Sequence, residues 1–175
     1  MTPERISEML MAADGLDNGA KAQLRRNAHK HFENADYKAM GIFLRIIPPD
    51  TPRYEQAPLF AAVCNRCLWK DPRKGMAFPD ALALLKSKKN GSDTIEKRFM
   101  SLLDEPMEAD GLFSIKLYRL CHMLSAEGIN IDWAVLCSDL TKWGNQERYI
   151  QRRWMRSYFS AHDDDTADNK SAKEE

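Results

Sequence analysis

Residues 131–159 read IDWAVLCSDLTKWGNQERYIQRRWMRSYF, and they hold three of the chain's four tryptophans. The stretch reads as two helices joined by a tight corner. Asp132 sits where an N-cap belongs, its carboxylate placed to accept from an otherwise unpaired backbone N–H. Ile131 before the cap and Leu136 at the fourth helical position have the spacing of a hydrophobic staple. Trp133, Leu136, Leu140 and Trp143 recur at three- and four-residue steps, one face of a helix. Gly144 is placed to supply a left-handed end, and Asn145 to cap the second helix. In that second helix Ile150, Trp154 and Tyr158 are predicted to face the core, with the tryptophans as core anchors. Arg148, Arg152 and Arg156 form a ladder on the other side, with Arg153 nearby and Tyr149, Met155 and Phe159 interleaved. Such a face is commonly a solvated one whose arginines pair with distant carboxylates. The only acid between Gly144 and His162 is Glu147, however, and guanidinium groups among aromatics also suit phosphate and stacking contacts.

Outward from this pair, the same signals recur. Thr2-Pro3-Glu4 opens a first helix that buries Ile6, Met9, Leu10 and Ala13 and stops at Gly15. Asp17 or Asn18 caps a second over 19–32, with Leu24, Ala28 and Phe32 inward and His29 and His31 predicted at the surface. A third, 37–47, is predicted to bury Met40, Phe43, Leu44 and Ile47 before Pro48-Pro49 ends it. Thr51-Pro52 starts a fourth, in which Pro58 is expected to kink or restart the helix. Residues 71–75 form a turn, and Pro79 opens a helix closing at Asn90-Gly91. Asp93 and Glu96 have capping-box spacing ahead of Ile95, Phe99 and Leu102. Asp110 caps the next helix, with Phe113, Leu117, Leu120 and Leu124 as its seam. No segment alternates with the two-residue period of a half-buried strand. The prediction is all-α: a single multi-helix bundle over 1–161 with short loops, followed by a disordered acidic tail over 162–175.

The chain has 175 residues, 43% of them hydrophobic and 30% charged, with formal net charge +0. The tail carries six acids and two lysines, which leaves a body with 24 basic and 20 acidic side chains, about +4. An excess that small identifies no partner by itself; clustering has to. No signal peptide is visible and no apolar run reaches the ~18 residues of a membrane span, so a cytoplasmic location is expected. Cys64, Cys67, Cys121 and Cys137 lie in apolar-periodic stretches and are read as reduced core thiols. Cys64-Asn-Arg-Cys67 lacks both a presenting turn and a second pair, so no metal is assigned. There is no glycine-rich phosphate loop, HExxH or Gly-x-Ser-x-Gly, and the expectation is no enzyme and no cofactor. What recurs instead is cation on otherwise ordinary helices: Arg25-Arg26, Arg53, Lys97-Arg98, Arg119, and Arg148, Arg152, Arg153 and Arg156. Brought together, they would make a sequence-independent track for a phosphate backbone.

Four blocks in order, NGAKAQLRR, PRYEQAPLFAAV, EKRFMSLLD and INIDWAVLCSDLTKWGNQERYIQRRW, resemble the CasB family, the small subunit of the type I-E CRISPR complex Cascade. The resemblance covers about 17–159. It implies a non-enzymatic subunit that works with CRISPR RNA, target DNA and the other Cascade subunits. Two copies would lie head to tail, holding the guide–target region and the displaced strand while base pairing reads the sequence. It also implies nucleic-acid-facing roles for Arg26, Arg53, Arg98 and Arg119. Where the family tends to be basic after the second tryptophan of the corner, this chain has Asn145 and Gln146, and Arg148 and Arg152 would carry that charge. The competing expectation is a protein–protein adaptor whose arginines pair with an acidic partner.

Overall fold

Side-chain caps three residues from their targets start several helices of the computed structural model. It describes residues 1–91 and 93–171, those from 161 on by backbone alone. Thr2 accepts from Arg5 N–H at the head of α1 (Pro3–Asp14), and Asp17 from Ala20 N–H at the head of α2 (Asn18–Arg26). A short 3-10 turn over Phe32–Asn34 precedes α3 (Tyr37–Ile46) and α4 (Arg53–Arg66). Then come α5 (Phe78–Lys88), α6 (Asp93–Leu103) and α7 (Leu112–Ala126). The last two are α8 (Trp133–Leu140), capped by Asp132 on Val135 N–H, and α9 (Tyr149–Ser171). Among the described residues the sole extended pairing is one parallel bridge, Met76 to Ile131, so the fold is all-α.

α4 is the centre. Every residue from Pro58 to Asn65 is buried, which no amphipathic surface helix could satisfy. α2, α7 and α8 pack around it, α1 and α3 complete one side, and α5, α6 and α9 build the other. The closing pair is therefore shared out: α8 lies chiefly on α1 and α4, while α9 runs along α5. An aromatic edge between Trp143 and Trp154, 5.0 Å apart, links the end of α8 to α9, and another between Trp69 and Trp133, 5.1 Å apart, links the end of α4 to α8. Trp133, Trp143 and Trp154 are all buried, as their stripes predict.

Several local expectations give way to tertiary contacts. α2 stops at Arg26 because buried Asn27 turns its amide onto Gln23 O at 2.9 Å and Asp36 Oδ2 at 3.1 Å. Its own Oδ1 accepts from Asp36 N–H. The chain then reverses, and His31 becomes a buried residue rather than a surface one. α3 turns Ala39, Ile42 and Phe43 inward and leaves Leu44 exposed, because α1 and α2 approach from that side. Pro58 sits inside an unbroken α4. Gly144 is not left-handed; that conformation falls on Arg148, with φ 50°. Asn145 caps only a turn, accepting from Glu147 N–H, and α9 starts four residues later. The residue ahead of Asp93 lies outside the described ones, and Glu96 reaches Lys86 on α5 at 2.5 Å. The tail expected to be disordered falls partly on α9, whose bounds run to Ser171, and otherwise outside the described residues. Among the described residues, no helix is long and apolar enough to cross a membrane.

Candidate nucleic-acid interface

α6 buries Ile95, Phe99, Leu102 and Leu103, which leaves Lys97 and Arg98 on its outer side. α7 buries Phe113, Leu117, Leu120 and Leu124, so Lys116 and Arg119, three apart, line its flank. Where the two helices pack, their outer rows meet in a cleft of about 240 Å³ lined by Thr94, Lys97, Arg98, Ser101, Lys116 and Arg119. Lys116 is tied down, donating to Ser101 O at 3.1 Å and to the Glu105 carboxylate. Arg98 Nη1 lies 3.0 Å from Met123 Sδ, a soft contact that positions the guanidinium without neutralising it. Lys97, Arg98 and Arg119 have no carboxylate partner among the described residues. Like charges gathered this closely repel, and an anion between them relieves the repulsion. The two hydroxyls, Thr94 and Ser101, add donors suited to phosphate oxygens.

Three of the ten cations singled out in the sequence thus converge. Arg25 and Arg26 are exposed in the last turn of α2, where cations complement the helix dipole. Arg53 opens α4 with its side chain 91% exposed and only a loose 3.6 Å approach to Glu33. The ladder divides, with Arg148 just ahead of α9 and the other arginines on it. Arg148 donates to Leu103 O at 2.5 Å and Asp104 at 3.3 Å, closing the C-terminus of α6. Arg152 donates to Glu147 O at 2.5 Å, and Arg153 to Asp139 of α8. Arg156 is exposed without a partner among the described residues. The carboxylates that take up Arg148 and Arg153 come from 44 and 14 residues away, where local reading does not look. Lys116, Thr94 and Ser101 carry little signal in the sequence; the three-residue step from Lys116 to Arg119 is the one that points to them.

The thiols are unsuited to chemistry. Burial pushes Cys67 up to about 11 and Cys137 up to about 12, and it raises Cys64 and Cys121 well above the ordinary thiol range as well. Cys64 lies in α4 and Cys67 at its C-cap, and among the described residues no cluster of three metal-ligating side chains forms.

A family model described as CRISPR-associated protein Cse2 matches residues 20–159. The chain belongs to the Cse2 (CasB) family. Among Cse2 relatives, the CRISPR-associated protein Cse2 of Thermus thermophilus is 35% identical over 74 residues, 42% of this chain; the match spans 40% of that relative's length. The CRISPR system Cascade subunit CasB of Escherichia coli is 28% identical over 139 residues, 76% of this chain and 81% of that protein. The crystal structure of a Cse2-family protein from Thermus thermophilus has a TM-score of 0.74 at 26% identity. It covers 90% of this chain and 97% of that one. The α6–α7 cleft lies wholly within the matched Cse2 region.

Proposed function

We propose that this protein is the non-enzymatic small subunit of a type I-E CRISPR surveillance complex, and that it steadies the RNA–DNA R-loop by gripping sugar–phosphate backbone. The observation that carries the reading is the meeting of Lys97, Arg98 and Arg119 in one cleft without a carboxylate to balance them among the described residues. Family membership and the E. coli relative's name as a Cascade subunit support assembly with CRISPR RNA, target DNA, the other Cascade subunits and a second copy, in the cytoplasm. Replacing a DNA duplex with a guide–target duplex is nearly balanced in energy, so a few backbone contacts tip it. The exposed Arg25, Arg26, Arg53, Arg152 and Arg156 extend the track, while Arg148 and Arg153 serve it by holding α9 in place.

Reconstitution with guide RNA and the remaining Cascade subunits tests this. A variant carrying Arg53→Ala, Arg98→Ala and Arg119→Ala is expected to assemble but to hold R-loops less tightly. R-loop lifetimes equal to wild type would refute the mechanism.

A further inference from the structure

Beside the cleft lies a row of three rings. His29, after the end of α2, meets Tyr118 of α7 with ring centroids 5.8 Å apart at 62°. Tyr118 in turn meets His122, one helical turn on, at 5.8 Å and 50°. Both histidines are exposed, whereas Tyr118 is half-buried and packed against the core, which anchors the row. None of the three makes a hydrogen bond or ion pair among the described residues. The row borders the cations: Arg119 is three residues before His122 on the same helix, and Met123, next to His122, takes the Arg98 contact.

We infer that His29, Tyr118 and His122 form a stacking site for unpaired bases of a single strand whose phosphates occupy the adjacent cleft. This deepens the nucleic-acid reading above and rests on it. Stacking on aromatic side chains is tolerant of sequence because every base has a π-face. Bases within a duplex are already stacked, so the rings select strand segments that are splayed or displaced. Ring-to-ring contact fixes the imidazoles in advance, which lowers the entropy lost when a base docks.

The test compares two probes on the purified full chain by fluorescence anisotropy: a labelled single-stranded DNA and an abasic sugar–phosphate oligomer of equal length. The His29→Ala/His122→Ala variant changes exposed positions, and circular dichroism verifies its fold. It is expected to bind the base-bearing strand about 5- to 100-fold more weakly. Its affinity for the abasic oligomer and its salt dependence should match wild type, since stacking releases no counterions. Restoring a ring with His122→Phe should recover part of the loss. Equal affinity of variant and wild type for the base-bearing strand, or an equal fall on both probes, overturns the stacking site while the steep salt dependence of wild type still supports the charged cleft. Wild type that binds neither probe at low salt overturns both readings.

Discussion

Arg153 of α9 donates to Asp139 of α8, a carboxylate whose side chain is only 6% exposed. The second Asp139 oxygen accepts from Trp154 Nε1 at 2.7 Å. One acid thus satisfies two consecutive residues of the last helix and fixes the angle between α8 and α9. The arginine is more than half exposed, so water can replace its part of the pair. Asp139→Ala leaves a buried indole N–H unpaired and should cost about 2–3 kcal/mol in urea unfolding. Arg153→Gln should cost about 1 kcal/mol or less. Arg153→Gln with undiminished stability but weaker DNA binding would reassign this arginine to the interface.

The cleft predicts a salt signature. Each phosphate contact on a single strand contributes about 0.7 to the slope of log affinity against log salt. Lys97→Gln with Arg119→Gln should therefore flatten that slope by about 1.4. An adaptor whose cations meet an acidic protein would show no such single-strand binding even at low salt.

Gly75 predicts a steric failure. A Cβ there would stand 2.0 Å from Asn130 O and 2.4 Å from Ile131 N, both backbone atoms with no freedom to retreat. The close approach lets Met76 N–H reach Asn130 O at 3.3 Å and lets Met76 O accept from Asp132 N–H at 2.7 Å. Asp132 is the cap of α8, so the damage spreads. Gly75→Ala should lower stability by about 1–3 kcal/mol, read as a reduced thermal midpoint.

His31 predicts a pH effect. Burial lowers its pKa below the ordinary 6.5, although Glu33 and Asp110 pull the other way, and Nδ1 accepts from Glu33 N–H at 3.3 Å. Below about pH 6.5 the unfolded chain takes up a proton that the folded one resists, so stability should fall as pH drops through that window. His31→Asn keeps an acceptor at this position without titrating. The slope of denaturant stability against pH should be flatter for this variant; an unchanged slope would place the titration elsewhere.

The helix starts at Thr2, Asp17 and Asp132 are legible because a cap and its target lie three residues apart, and the core stripe of Ile150, Trp154 and Tyr158 because helical periodicity is local. Lys97, Arg98 and Arg119 are legible as cations, but their meeting is not, since α6 and α7 touch only once both are packed. The corner after Trp143 differs in detail from its local signals. Gly144 has the chemistry for a left-handed residue, yet Arg148 takes that conformation, and its side chain bonds the end of α6.

The sequence by itself determined that the chain is helical, where most helices begin, which large side chains are interior and which family it joins. The first three rest on patterns within a few residues, and the family on the order of such patterns along the chain. Only the tertiary structure decided which arginines are occupied and which are free. Asp139 and Asp104 reach Arg153 and Arg148 from other parts of the fold, while no described carboxylate reaches Arg98 or Arg119. The charge of a residue is written in the chain, but whether that charge is already balanced depends on what the fold brings beside it.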